Sequence, residues 1–128
     1  MELQKIMMVD DDDGIRRIAQ LTLTKLGKFE IVLARSGKEA LALVQEHNPD
    51  LILLDVMMPE MDGPAVLKEL RSNEKTATIP VVFMTAKIQR HEVQAYSQMG
   101  ASGVISKPFE PSELPGQLRE LYRLAVTA

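Results

Sequence analysis

The sequence contains no cysteine. This absence excludes disulfide bonds, thiolate zinc sites and a cysteine nucleophile. A run of the ~20 apolar residues that a membrane-spanning helix needs is also missing, because the longest clear runs, Ile6–Val9 and Leu51–Leu54, have the length of strands. The N-terminal residues do not combine a basic segment with a long apolar one, so no signal peptide is expected. A cytoplasmic location without membrane association is the simplest expectation.

An excess of positive charge is absent as well. The chain carries 15 basic and 18 acidic residues, for a formal net charge of −3. A domain that binds DNA by itself usually carries a basic face, so direct nucleic-acid binding is not expected. The length of 128 residues is within the usual size of one domain. We therefore expect residues 1–128 to form a single domain with its own hydrophobic core.

Short apolar runs alternate five times with longer amphipathic stretches. The runs predict strands at Lys5–Val9, Phe29–Leu33, Leu51–Leu54, Ile79–Met84 and Gly103–Ile105. The stretches predict helices at Ile15–Leu26, from Ser36 to Glu46, around Val66–Leu70, at Gln89–Met99 and along Leu114–Ala125. Strands that lack alternation are buried on both faces, as in parallel sheets covered by helices. The sequence thus predicts an α/β fold, a (βα)5 doubly wound five-stranded parallel sheet.

Capping residues in the sequence predict where the first two helices begin. Asp13 suits the N-cap position of the first helix, and Arg16 and Arg17 are expected on its solvated edge. Ser36 and Glu39 have the spacing of a capping box. The residues expected near one face of the first helix are Ile15, Ile18, Ala19, Thr22 and Leu26.

Polar residues follow the predicted strands at the edge where doubly wound sheets place their sites. The first strand is followed by four aspartates, Asp10–Asp13. Neighbouring carboxylates repel one another unless a cation neutralises them, and oxygen ligands in an open site suit Mg2+. Asp10 and Asp11, directly at the strand end, are the predicted metal ligands. Asp12 and Asp13 are better explained as a solvated loop and a helix cap.

The ends of the other strands carry complementary groups. Asp55 follows an apolar strand and suits a nucleophile, since carboxylates form aspartyl phosphates when a metal offsets the phosphoryl charge. Thr85 can donate a hydrogen bond to a phosphoryl oxygen. Lys107 adds a positive charge, and a cis bond to Pro108 would be a specific way to aim it.

Together these residues resemble the receiver domain of two-component response regulators, the CheY-like family with a flavodoxin-like fold. The resemblance covers essentially the whole chain. Its matching segments are Ile6-Met7-Met8-Val9-Asp10-Asp11-Asp12, Leu53-Leu54-Asp55-Val56-Met57-Met58-Pro59 with Met61-Asp62-Gly63, Met84-Thr85-Ala86 and Lys107-Pro108-Phe109.

The resemblance implies a role for each metal and phosphate residue. Asp55 would be the phosphoacceptor. Asp11, Asp55 and the backbone carbonyl of Met57 would bind Mg2+ directly, and Asp10 would act mainly through water.

The same resemblance implies how the signal enters and leaves the domain. Thr85 would bind a phosphoryl oxygen and move on activation. Lys107 would pair with the phosphoryl group, and the peptide bond between Lys107 and Pro108 would be cis. The donor would be a phosphohistidine on a sensor histidine kinase or a histidine phosphotransfer protein. Phosphorylation would repack the face of the fourth helix, fifth strand and fifth helix, which would bind a downstream effector protein.

The sequence departs from the family pattern at the aromatic switch position of the fifth strand, which is Val104. Met57 and Lys87 occupy the positions at which the family tunes phosphate loss. Because methionine cannot orient an attacking water by hydrogen bonding, a long-lived phosphoryl group is expected.

Two other classes of function are alternatives to a switch that phosphorylates only itself. A Mg2+-dependent aspartyl-phosphate phosphohydrolase usually has an acidic general acid two positions after its nucleophile, where this chain has Met57. A flavodoxin-like cofactor binder needs a phosphate-cradling first loop, and Asp10–Asp13 would repel a phosphate. We therefore expect a receiver without turnover of an outside substrate.

Overall fold

Five parallel strands form one sheet in the computed structural model, which describes residues 2–86 and 88–127. The strands are β1 (Lys5–Val9), β2 (Glu30–Ala34), β3 (Leu51–Asp55), β4 (Val81–Thr85) and β5 (Gly103–Ser106). The helices are α1 (Asp13–Leu21), α2 (Gly37–His47), α3 (Gly63–Ser72), α4 (Arg90–Gln98) and α5 (Leu114–Thr127). The predicted (βα)5 doubly wound sheet is confirmed, and each strand begins and ends within two residues of its predicted position.

The strand order β2-β1-β3-β4-β5 places the functional edge of the sheet. The chain moves from β1 outward to β2 and then returns to β3 on the other side of β1, where it pairs in parallel with β1. The order of strands therefore reverses between β1 and β3. In open α/β sheets a crevice forms at such a point, beside the carboxyl ends of the strands.

Helices cover both faces of the sheet, which explains the uninterrupted apolar character of the strands. Alternate residues of a strand point to opposite faces. Met8 and Leu53 belong to the core cluster that includes residues of α1 and α5. Met7 and Ile52 belong to the cluster that includes residues of α2 and α3. All five residues of β3 are buried, so its last residue is held firmly at the crevice.

The structure corrects the predicted start of α1. The N-cap is Asp12, whose side chain accepts a hydrogen bond from the backbone N–H of Ile15, and Asp13 is the first helical residue. The physical reason lies in the preceding turn, because the N–H of Asp12 donates to Oδ1 of Asp10 at 2.9 Å. That bond fixes Asp12 in the extended conformation that an N-cap requires.

The continuation of α1 also differs from the predicted regular helix. Its last turn, Thr22–Leu26, is π-helical, and the hydroxyl of Thr24 donates to the carbonyl of Gln20 at 2.7 Å. A π-helical turn shifts the phase of later residues. Leu26, at the end of this turn, is 58% exposed. Ile18, which was expected near the same face, precedes the turn and is 51% exposed, so the π-helical turn does not explain its exposure.

Of the two hydrogen bonds predicted for the capping box of α2, one is confirmed. Oγ of Ser36 accepts the N–H of Glu39 at 3.0 Å, but the Glu39 carboxylate accepts the N–H of Arg35 rather than that of Ser36.

Among the helices formed by the described residues, none is both long enough and apolar enough to cross a membrane.

Candidate functional site

Three carboxylates converge at the carboxyl ends of β1 and β3. One oxygen from each of Asp10, Asp11 and Asp55 lies within 4.8 Å of the others. Asp10 and Asp55 are buried, with 0% and 2% of their surface exposed, whereas Asp11 faces solvent. The structure therefore brings together the three side chains predicted to bind a metal ion.

The position of Asp55 depends on a close approach of α3 to the end of β3. The N–H of Gly63 donates to the carbonyl of Val56 at 2.8 Å. A Cβ atom at Gly63 would lie 2.6 Å from the carbonyl oxygen of Asp55, a distance that any other residue could relieve only by moving the backbone. The glycine thus allows α3 to begin beside the loop that follows Asp55, where Asp62 caps it.

Lys107 supplies the positive charge of this site. Its Nζ lies 3.1 Å from Oδ2 of Asp10 and 3.3 Å from Oδ1 of Asp55. The Lys107–Pro108 bond is cis, as predicted. The backbone N–H of Lys107 donates to the carbonyl of Thr85 at 2.9 Å, which ties the end of β5 to the end of β4.

One lysine does not compensate two buried carboxylates. Burial, and next the charge of Asp10, raise the pKa of Asp55 from 3.8 to about 6, although Lys107 and the backbone N–H of Met57 act in the opposite direction. Burial disfavours the charge of Lys107, but Asp10 and Asp55 outweigh that effect and raise the pKa of Lys107 above its usual value. The site consequently holds excess negative charge.

These residues fit a hard divalent cation. The donors that converge are all carboxylate oxygens, which are the ligands that Mg2+ prefers. Oδ2 of Asp55 is buried and has no hydrogen-bond partner among the described residues. Such an atom is costly unless a ligand satisfies it, and a cation would also offset the excess charge.

The other predicted site residues differ in how far they are buried. Thr85 is buried at the end of β4, with 7% of its surface exposed. The side chain of Met57 is 80% exposed, and the role of its carbonyl as a metal ligand stays a prediction. Lys87 lies outside the described residues. Val104 is half-buried and packs against the cluster that includes Phe83.

Arg16 is a site residue that the sequence reasoning missed. It was expected on a solvated helix edge, but only 14% of its side chain is exposed. Its Nη1 donates to the backbone carbonyl of Asp10 at 2.8 Å, and its Nη2 pairs with Asp13. The spacing of three residues between Asp13 and Arg16 was the available signal, since such residues are neighbours on a helix.

Comparisons with known proteins agree with this geometry. The family model described as the response regulator receiver domain matches residues 6–119. The chain is 41% identical over 120 residues to a probable transcriptional regulator, ycf27, of Cyanophora paradoxa, covering 94% of this chain and 48% of that protein. It is 38% identical over 117 residues to the response regulator Rre1 of Synechocystis, covering 91% of this chain and 50% of that protein. The chain thus spans about half the length of these relatives.

A solved structure extends the similarity to three dimensions. The structure of the chemotaxis response regulator CheY4 of Vibrio cholerae superposes with a TM-score of 0.86 at 33% identity. The match covers 93% of this chain and 98% of that one.

Proposed function

The chain belongs to the response regulator receiver domain family of two-component systems, and we propose that it is a switch that accepts a phosphoryl group on Asp55. The observation that carries this proposal is the environment of Asp55. Its carboxylate is buried at the end of β3 and lies among two further carboxylates and a lysine. One of its oxygens has no hydrogen-bond partner within residues 2–86 and 88–127.

Asp55 is suited to act as the nucleophile. Its pKa of about 6 leaves the carboxylate ionised at pH 7 and above, so no general base is needed. An oxygen of Asp55 forms the new O–P bond while the N–P bond of the donor phosphohistidine breaks, and the donor nitrogen keeps the electron pair of that bond. The product is an aspartyl phosphate.

Neighbouring groups would offset the negative charge of the phosphoryl group. Nζ of Lys107 lies 3.3 Å from Asp55, which supports a role in pairing with a phosphoryl oxygen. The hydroxyl of Thr85 is the predicted donor to a second phosphoryl oxygen. Asp10, Asp11 and Asp55, together with the carbonyl of Met57, would hold Mg2+, which offsets negative charge on the phosphoryl group when it is bound.

The residue two positions after Asp55 favours a switch over an enzyme that turns over an outside substrate. The position two residues after Asp55 carries Met57, which cannot act as a general acid and whose side chain points into solvent. The proposed donor is a sensor histidine kinase or a histidine phosphotransfer protein. The proposed output is a changed contact between the α4–β5–α5 face and an effector protein.

Phosphorylation with a small donor tests the proposal. The protein is incubated with acetyl phosphate and Mg2+, and its intact mass is measured beside those of two variants. Asp55→Asn removes the proposed acceptor. Glu60→Gln removes an exposed carboxylate from the same loop and is the matched control for charge. We expect the wild type and Glu60→Gln to gain one phosphoryl group and Asp55→Asn to gain none.

Labelling that persists unchanged in Asp55→Asn would refute the assignment. Hydrolysis of a phosphate monoester by the wild type, lost in Asp55→Asn, would instead favour a phosphohydrolase.

A further inference from the structure

We propose that Arg16 is a positioning residue that holds the Asp10–Asp13 loop in the shape that binds Mg2+. This inference rests on the proposed function, because it concerns the metal site of the receiver. Within the described part of the chain, the side chain of Arg16 bonds to the carbonyl of Asp10 and the carboxylate of Asp13, and to none of the converging carboxylate oxygens. It contacts the loop on both sides of Asp11, the exposed member of the carboxylate trio.

The first contact fixes a peptide group. Nη1 of Arg16 donates to the carbonyl oxygen of Asp10 at 2.8 Å, and that carbonyl belongs to the peptide that joins Asp10 to Asp11. The orientation of a peptide group sets the direction in which the flanking side chains leave the backbone. A hydrogen bond from a charged donor at this point therefore orients two of the predicted ligands together.

The second contact fixes the far end of the loop. Nη2 of Arg16 pairs with the carboxylate of Asp13. The planar guanidinium presents several donors in a fixed arrangement, so one side chain joins residues 10 and 13. The four consecutive aspartates would otherwise gain from spreading apart into solvent.

Arg17 provides an internal comparison. It carries the same charge one position further along α1, but it is exposed. Removing either arginine deletes one positive charge near an acidic site, which by itself favours Mg2+ binding slightly. Only removal of Arg16 also releases the loop. The two effects have opposite signs, so the difference between the two variants isolates positioning from charge.

The test measures Mg2+ affinity in the absence of any phosphoryl donor. Chemical-shift titrations of 15N-labelled protein with MgCl2 give dissociation constants for the wild type, Arg16→Ala and Arg17→Ala at temperatures where thermal unfolding shows each protein to be folded. Groups that orient metal ligands typically change affinity 10–100-fold when they are removed. We expect Arg16→Ala to bind Mg2+ about tenfold more weakly than the wild type, and Arg17→Ala to bind at least as tightly as the wild type.

Lysine variants provide a second comparison that conserves charge. Arg16→Lys keeps the charge but lacks the planar fork that serves two acceptors, so its affinity should lie between those of the wild type and Arg16→Ala. Arg17→Lys should match the wild type. If Arg16→Ala does not fold, the comparison of Arg16→Lys with Arg17→Lys decides the question.

The outcomes distinguish a failure of the role of Arg16 from a failure of the proposed metal site. Equal affinities for Arg16→Ala and Arg17→Ala, or for the two lysine variants where Arg16→Ala does not fold, would overturn the role of Arg16 and leave the phosphoacceptor proposal standing. A lowered unfolding temperature of Arg16→Ala with unchanged Mg2+ affinity would also overturn it, because the residue would then be only structural. Absence of Mg2+ binding by the wild type would contradict the metal site itself.

Discussion

The substitution Asp55→Asn should stabilise the protein when Mg2+ is absent. The rise in the pKa of Asp55 from 3.8 to about 6 means that the buried carboxylate costs about 3 kcal/mol at neutral pH, at 1.36 kcal/mol per pKa unit. An amide of nearly the same shape removes that cost. Part of the gain is lost because the buried amide carries two N–H groups, and a buried donor without an acceptor is itself costly. We expect a net increase of about 1–2 kcal/mol in the free energy of unfolding at pH 7.5.

The sign of the pH dependence follows from the direction of the pKa shift. A carboxyl group with a higher pKa in the folded protein binds its proton more tightly there than in the unfolded chain. The contribution of Asp55 to stability therefore falls as the pH rises from about 4 to about 6 and stays low above that range. The advantage of Asp55→Asn should be largest at pH 7.5 and should shrink towards pH 4.

Urea unfolding in the presence of EDTA measures this effect, with Glu60→Gln as the control for loss of one exposed charge. The control should change the free energy of unfolding by less than about 0.5 kcal/mol. Addition of Mg2+ should stabilise the wild type more than Asp55→Asn, because only the folded wild type holds the complete ligand set. An Asp55→Asn variant that is less stable than the wild type at pH 7.5 in EDTA would refute the reasoning.

Three further changes have defined outcomes. Lys107→Gln should lower the free energy of unfolding at pH 7.5 by about 3 kcal/mol in urea titrations, because it leaves two buried carboxylates without their cation; a change of less than about 0.5 kcal/mol would show that the ion pairs matter little. Met57→Asn should shorten the lifetime of the phosphoryl group, followed by intact mass after removal of the donor, and equal or slower decay would contradict the role given to Met57. Asp12→Ala should cost about 1 kcal/mol in urea titrations because it removes the N-cap of α1. A cost no larger than that of Glu60→Gln would show that Asp12 is not the cap.

The fold was predictable because the strands are apolar along their whole length. Runs such as Leu51–Leu54 occur where a strand is covered on both faces, so their number and spacing identify the doubly wound sheet. The π-helical turn at Thr22–Leu26 was not predictable. It accompanies a hydroxyl-to-carbonyl bond of Thr24, and nothing in the apolar pattern distinguishes that bond from a solvated threonine.

The acidic site was predictable in its members but not in its internal contacts. Strand ends identify Asp10, Asp11 and Asp55 as neighbours once the sheet is known to be parallel. The choice of Asp12 over Asp13 as the N-cap depends on a bond to the side chain of Asp10, which only the folded turn reveals. The contacts of Arg16 were predictable only in part: its spacing from Asp13 is visible in the sequence, but its bond to the backbone carbonyl of Asp10 is not.

The position of the phosphoryl group tests the central claim most directly. After treatment with acetyl phosphate and Mg2+, reduction with borohydride converts an aspartyl phosphate to homoserine, which peptide mass mapping locates. The account predicts homoserine at position 55 alone, and none when EDTA replaces Mg2+. Conversion at another aspartate, or a phosphoryl group retained on any residue other than Asp55, would contradict it.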